Sequence, residues 1–507
     1  MTDRTVLMDF VELVGALKTR LVLPGGDGKA GFSSVSIDSR SLKPGALFVA
    51  LPGSVEDGHR YVEAAFDAGA AGAMVARSRL EGLRLEEIGR KARRPLVVVE
   101  DTLRGLQDAA RVYLDRFPRL IRVGITGSAG KSSTKAIAAA MVGREKATVA
   151  NPGNLNSETG LPLSVFGVRP HHEVGIFEMG MNRRGEIAEL AKVLKPHIAL
   201  ITNIGSAHIG IFGSKEEIAK EKKNIFAEFT GTETALIPEE DEFSQFLAEG
   251  VRGRVLFYGR RSFTGLGEPR NLTPDGTDIT WEGIPVHFNL PGRHNLNNAL
   301  AAAAIAREIP VGPEAIRGGL AAVKPLFGRS EIIRGELRRQ NRGGERGGTV
   351  TVIRDCYNSN SESAAAAIAF CDALDWPGRR VYVIGSMLEL GDRAREAHEG
   401  LGRLLAASRA DMVFLYGPET EGAALVMEEA GREGAQRIPR FHTDTMDILS
   451  RAVAEYLRPG DMILLKGSRG CALEQLTGVF LEPEPPRVSA GGGPSPAGTE
   501  NLREGVL

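Results

Sequence analysis

The residues best placed to do chemistry lie in RVGITGSAGKSSTKAIAAAM, Arg122 to Met141. Gly124, Gly127 and Gly130 lead into Lys-Ser-Ser, and a helix-forming run follows. In the strict phosphate loop, G-x-x-x-x-G-K-[ST], the first glycine would stand where Ile125 is, so this loop is a relative of that pattern and not an instance of it. The physics carries over. A strand ends, glycines turn backbone N–H groups toward an anion, and a helix begins at Lys131. Gly127, Ser128, Ala129, Gly130, Lys131, Ser132 and Ser133 form a candidate nucleotide cradle. Lys131 would lie on the β- and γ-phosphates, and the Ser132 hydroxyl could ligate Mg²⁺. A plain Gly-rich turn before a helix is the alternative.

A metal on a nucleotide needs further ligands. Glu178 ends the apolar run EVGIFEM, and His208 follows the next one, in ITNIGSAH. Either residue alone is more often structural. At successive strand ends after a phosphate loop, they form a candidate metal pair.

Those side chains need a scaffold. LIRVGIT, EVGIFEM and HIALITNI are short, β-rich apolar runs separated by helical patterns, as in an α/β domain with buried parallel strands. VTVIRD, RRVYVIGS, DMVFLYG and DMILLKG repeat the plan further on, predicting a second, doubly wound sheet. Before residue 118, VSIDSRSLKPGALFVALPG holds two strand-like runs around a Lys-Pro-Gly turn, and YVEAAFDAGAAGAMVA reads as a helix then a strand. The expected division is 1–117, 118–325 and 326–481, with 482–507 a disordered Pro/Gly/Ser-rich tail. Residues 338–348, RRQNRGGERGG, read as an exposed hairpin loop, with a nucleic-acid patch as the sharper alternative.

A chain of 507 residues with 42% hydrophobic and 25% charged residues is ordinary globular material. Its net charge of -1 argues against a polyanion binder, so neither nucleic acid nor an anionic membrane is expected as a partner. Three scattered cysteines suit a reducing cytosol, and no signal peptide or membrane span is read. NNALAAAAIA is too short to span and reads as a buried helix.

GITGSAGKSSTK, NPGNLNSETGLP, FEMGMNRRGEI, ITNIGSAHIGIFGSKEEIAKEKKNIF, GRHNLNNALAA, DCYNSNSES, GSMLELGDRAREAH and LLKGSRG stand in the order found in the Mur ligases. The chain resembles that family from about residue 35 to 476. The resemblance implies three α/β domains: an N-terminal UDP-substrate domain, a central P-loop-type ATPase domain with a mainly parallel sheet, and a C-terminal Rossmann-like domain. It implies an ATP- and Mg²⁺-dependent ligase; a cytoplasmic location and a monomer are expected beside it. The implied partners are UDP-N-acetylmuramoyl-tripeptide and D-alanyl-D-alanine, joined through an acyl phosphate.

The resemblance also assigns residues. Glu178 and His208 match magnesium ligands, and Lys222, in KKNIF, matches a lysine that is carbamylated; the plain alternative is a surface lysine. Asn295 and Asn298 match residues near adenine, with helix capping as their alternative. Arg329 matches an ATP contact and Asp355 a ribose ligand, with Tyr357 and Asn358 beside it. Arg354 stands where the family often has Asp. Asp38, Ser39, Arg40 and the Ser54–His59 loop resemble the uridine diphosphate pocket. Asn154 and Asn156 look like substrate contacts, and Ser157 replaces the usual Asn. Lys466 and Arg469 could meet substrate or phosphate on closure. Sibling ligases adding one amino acid, and folylpolyglutamate synthetases, are the competing readings. The sibling motif Asp-Asn-Pro-Arg is absent; the region reads GDRAREAH, with Arg393 and Arg395. A nucleotide-binding switch without ligase chemistry is the alternative from another class.

Overall fold

The computed structural model describes residues 6–22, 30–53, 55–338, 348–432 and 437–482. Most of the 338–348 loop, the tail beyond 482 and Ser54 lie outside the described residues.

Each apolar run becomes a strand whose two faces are both covered. The central sheet has six parallel strands in the order Arg254–Tyr258, Thr234–Pro238, Ile198–Ile201, Ile121–Thr126, Val174–Glu178, Thr148–Ala150. Val123, Ile125, Ile176 and Leu200 pack with the helices Lys131–Val142 and Arg293–Arg307. Phe177, Ala199, Ile201 and Ala235 point the other way, into a second cluster. Alternate side chains therefore serve opposite faces, and no position in the run can be polar at low cost. The alanine-rich run forms the buried helix Arg293–Arg307.

A second six-stranded sheet runs Glu331–Glu336, Thr349–Asp355, Met462–Lys466, Arg380–Gly385, Met412–Tyr416, Arg440–Thr443, with only the first pairing antiparallel. The four runs expected to be strands here are all present. The N-terminal sheet has five strands, Arg20–Val22, Leu96–Val99, Gly72–Ala76, Ala46–Val49 and Ser34–Ser36. The last two are parallel neighbours, so the Lys-Pro-Gly turn sits within a crossover. Two small antiparallel sheets are also present among the described residues, one of Asn271–Thr273, Gly276–Trp281 and Ile284–Phe288, the other pairing Met8–Asp9 with Gly31–Phe32.

The helix Thr102–Asp115 leans on the central sheet's helices: Gln107 donates to Glu158 O at 3.2 Å and Tyr113 OH to Val168 O at 2.7 Å. Among the described residues no helix is long and apolar enough to cross a membrane.

Candidate active site

After the strand Ile121–Thr126 the chain places Thr148–Ala150 and Val174–Glu178 on one side of it and then crosses to Ile198–Ile201 and the later strands on the other. A crevice opens at the carboxyl ends of strands where the order reverses in this way. The phosphate loop fills that position. Gly127 and Gly130 have φ of 147° and 81°, and the helix Lys131–Val142 starts directly after them. Both glycines are also required by contact. A Cβ at 127 would come within 1.8 Å of Thr202 Oγ1, and one at 130 within 2.2 Å of Asn298 Oδ1.

The neighbouring strand-end loop pins this one in place. Ala129 N donates to Asn203 Oδ1 at 3.0 Å, and Thr202 Oγ1 donates to Ala129 O at 2.6 Å. Ser128 Oγ accepts from Gly205 N at 2.8 Å and donates to Gly205 O at 3.2 Å. Lys131 Nζ folds back onto Gly127 O at 2.8 Å. Ser133 is half-buried on the next step of the helix.

Glu178 pairs in register with Ile125, so its carboxylate faces the loop from the adjacent strand. Ser132 Oγ donates to Glu178 Oε2 at 2.5 Å, and Asn156 Nδ2 to Oε1 at 2.7 Å. Lys135 Nζ lies 3.7 Å from Oε2 and donates to Asn151 O at 2.7 Å. Asn151 Oδ1 in turn accepts from Glu178 N at 2.9 Å. Burial alone would raise the Glu178 pKa; Lys131, Arg329, Lys135 and the Ser132 hydroxyl outweigh it and hold the carboxylate below its ordinary value. Burial, with Arg329 adding to it, pushes the Lys131 and Lys135 ammoniums down, and Glu178 opposes the shift. The site is thus one buried anion ringed by three cations.

Ser132 Oγ and the Glu178 carboxylate are hard oxygen donors, the kind Mg²⁺ takes alongside phosphate oxygens and water. Their convergence fits that ion. His208 is not part of the convergence. It sits in the left-handed region, at φ 63°, with Nδ1 2.8 Å from Glu389 Oε2 but off the direction of a good hydrogen bond. Among the described residues no three His, Cys, Asp or Glu side chains gather as a ready-made metal cage.

Lys222 is no surface lysine. It stands in the last turn of the helix Lys215–Lys223 with 1% exposure, and its Nζ lies 3.7 Å from Met181 Sδ. Burial first, then nearby Lys131, pushes its pKa well below the usual lysine range, against Glu221. The adjacent Glu221 is occupied elsewhere, accepting from Gly185 N at 2.8 Å and Ile187 N at 3.0 Å.

The second six-stranded sheet, that of the third domain, contributes at its own strand ends. Arg329 stacks over Tyr357 at 4.3 Å, close enough to Glu178 and Lys131 to shift both. Asp355 Oδ1 accepts from Ser330 N at 3.0 Å, and Oδ2 lies 3.1 Å from Lys466 Nζ. Lys466 is buried there and also donates to Asn358 O at 2.7 Å, so its charge is used internally. Arg469 is paired with Glu474 at 2.6 Å. Asn298 Nδ2 donates to Asn295 Oδ1 at 3.1 Å, and Asn295 Nδ2 to Pro291 O at 2.8 Å. Neither asparagine caps the helix, whose N-cap is Gly292.

In the N-terminal region Arg40 and Asp38 form an exposed pair at 2.9 Å, with Ser39 between them. His59 is buried: Nδ1 lies 2.6 Å from Asp57 Oδ1 and Nε2 accepts from Ala76 N at 2.9 Å. It is a buttress for its loop. Asn154 is exposed, whereas Asn156 joins Glu178. Ser157 Oγ lies 3.2 Å from Thr159 Oγ1. Arg395 pairs with Glu399 at 2.9 Å, and Arg393 is exposed.

Lys135, Asn151, Thr202 and Asn203 belong to the site and were not among the residues singled out from the sequence. Lys135 had a signal: it stands one helical turn after Lys131. The others are ordered by contacts between loops, which leave no local pattern.

Three family descriptions match successive parts of the chain: "Mur ligase family, catalytic domain" at 32–113, "Mur ligase middle domain" at 125–306 and "Mur ligase, glutamate ligase domain" at 337–469. The UDP-N-acetylmuramoyl-tripeptide–D-alanyl-D-alanine ligase of Treponema pallidum is 40% identical over 471 residues, covering 93% of this chain and 98% of that protein. The crystal structure of MurF from Acinetobacter baumannii superposes with a TM-score of 0.78 at 26% identity, covering 92% of this chain and 97% of that one. MurF ligase from Thermotoga maritima in complex with ADP gives 0.69 at 26% identity, covering 88% and 96%. With a phosphate loop, a strand-end carboxylate and a third sheet meeting at one crevice, and with likeness of this extent, the chain belongs to the Mur ligase family.

Proposed function

We propose that this chain joins D-alanyl-D-alanine to UDP-N-acetylmuramoyl-tripeptide at the expense of ATP. The observation that carries the reading is Glu178: a buried carboxylate at the switch point, bonded to Ser132 and ringed by Lys131, Lys135 and Arg329. A carboxylate substrate is a poor electrophile until phosphorylated. Its oxygen attacks the γ-phosphorus of ATP, ADP leaves, and an acyl phosphate forms. The dipeptide amine adds to the acyl carbon, loses a proton, and phosphate departs as the amide forms.

Phosphoryl transfer asks the protein mainly for position and charge neutralisation. The loop N–H groups of Gly127 to Ser133 cradle the phosphates, and Lys131 lies against the transferring group. Ser132 and Glu178 would hold Mg²⁺, which when bound neutralises phosphate oxygens. His208 completes that set in the sequence-based reading, and taking part requires its release from Glu389. Asn295 and Asn298 line the adenine side, Arg329 the phosphates, and Asp355 the ribose. Ser39, Arg40, Asn154 and Asn156 face the UDP-linked substrate. Lys222, whose ammonium form is disfavoured by burial, can as the free amine add CO₂, lose a proton and become an anionic carbamate.

The division into 1–117, 118–325 and 326–481 belongs to this reading; each sheet and each family match falls within one span, which supports it. So do a cytoplasmic location, where ATP and UDP-linked precursors are found, and a monomer, since one chain supplies every group named.

Phosphate release and product mass should be followed with ATP, Mg²⁺, a UDP-tripeptide and a panel of amines. D-alanyl-D-alanine should give the pentapeptide product. Efficient use of free diaminopimelate, lysine or glutamate would move the chain to a sibling ligase. Nucleotide binding with no amide from any amine would make it a switch.

A further inference from the structure

We infer that Glu362, on the third sheet's first crossover helix, is a positioning residue that registers this domain against the phosphate loop. The inference rests on the ATP-dependent reading above.

Glu362 is the second residue of the helix Ser361–Ala373. That helix needs no help from it at the N-terminus. Asn360 and Ser363 form a reciprocal capping box there. The Glu362 carboxylate instead reaches across to the central domain. It accepts from Ser206 N at 2.9 Å with Oε1 and from Ser206 Oγ at 2.7 Å with Oε2. These residues are 156 positions apart in sequence.

The contact lands on a loop already tied to the nucleotide cradle. Gly205, one residue earlier, exchanges two hydrogen bonds with Ser128 Oγ, and Asn203 holds Ala129. Residues 203–206 are therefore bonded to the phosphate loop on one side and to Glu362 on the other. A Cβ on Gly205 would stand 3.1 Å from the Glu362 carboxyl carbon, so the approach also depends on that glycine. Just before the same helix, the segment Asp355–Asn358 carries the ribose candidate and the Tyr357 ring under Arg329. Glu362 thus ties the third domain's nucleotide-facing segment directly to the central domain's phosphate-facing loop, whereas the bidentate Arg334–Asp275 pair, at 2.6 and 2.8 Å, joins the two domains at the small antiparallel sheet. A second anchor, Gly210 N to Glu389 O at 3.2 Å, is made by backbone and would survive any change at 362.

The test uses the full chain with Glu362→Ala, Glu362→Gln and Ser206→Ala. ADP affinity is measured by titration calorimetry. Domain separation is measured from spin labels at the exposed positions Arg252 and Arg403. Glu362→Ala should weaken ADP binding about five- to tenfold and broaden the distance distribution with ADP bound. Glu362→Gln, which keeps one acceptor, should fall between the two. Combining Glu362→Ala with Ser206→Ala should cost little more than Glu362→Ala alone. Unchanged ADP affinity and distances in Glu362→Ala would overturn the inference, as would a lower melting temperature with affinity intact. ADP titration needs no amine, so failure to form the amide would sink the proposed reaction and leave this result standing. No ADP binding by the unaltered chain would overturn both.

Discussion

Ser132 Oγ donates to Glu178 Oε2 at 2.5 Å, joining the first turn of the phosphate-loop helix to the end of the adjacent strand. The bond holds the two oxygens side by side. Glu178→Gln should lower phosphate release about 10²-fold or more and raise the Mg²⁺ concentration needed for half-activity, because an amide is a weaker ligand. Ser132→Ala should have the same direction and a smaller effect. A Mg²⁺ titration of each variant checks this; unchanged Mg²⁺ dependence would remove the pair from the metal site.

Lys131→Ala should reduce turnover by about 10³-fold while leaving the fold intact. The ammonium makes one bond, to Gly127 O, so little structure is lost with it. Circular dichroism should superimpose on that of the unaltered chain. Near-normal turnover would show that the loop does not handle the transferred phosphate.

Lys222 should take up CO₂. Burial and nearby Lys131 shift it toward the free amine, and addition of CO₂ to that amine releases one proton and leaves a carbamate. Carbon-13 NMR with labelled bicarbonate should show a carbamate resonance that disappears in Lys222→Ala. That variant should lose activity and regain part of it with short carboxylic acids. A spectrum without the resonance in the active protein would count against the modification.

Glu233 gives a test of stability against pH. Burial raises its pKa, but N–H groups of Gly231 and Thr230 and the Thr230 hydroxyl outweigh it and bring the value down to about 2. The folded value lies below the ordinary 4.5, so the stabilisation is present above pH 4.5 and lost as pH falls toward 2. Glu233→Gln should cost about 1–2 kcal/mol at pH 7, discounted for solvent screening, and almost nothing near pH 2. Urea unfolding at both pH values reads it out; an equal deficit at both would assign the effect to something other than charge.

Ile121–Thr126 and Met462–Lys466 were legible because strands buried on both faces are mostly apolar, with Arg122, Thr126 and Lys466 near their ends; Thr234–Pro238, just as buried, was not picked out. The Gly-Lys-Ser motif at a strand end was legible for the same local reason. Arg254–Tyr258 was missed: it is an edge strand, mostly half-exposed or exposed, and its sequence opens on Arg. The Asn271–Phe288 sheet had a signal that went unread. Glu282 and Gly283, at φ 49° and 80°, form the two-residue turn that hairpins favour. Asn203, Glu362 and Glu389 carry no local pattern, because their partners stand on other strand ends. Lys222 was placed by its motif, but its burial depends on the packing of two helices and a loop.

The thioether beside Lys222 has a consequence for oxidative damage. Met181 sulfur is a weak acceptor, so the N–H that Lys222 directs at it from 3.7 Å does little to favour the ammonium over the amine. Oxidation to the sulfoxide would set a strongly polar oxygen against the same nitrogen and favour the ammonium. A single oxygen atom on Met181 would then hold the nitrogen as an ammonium, which cannot add CO₂, and methionine sulfoxide reductase would be the chemistry that restores the thioether.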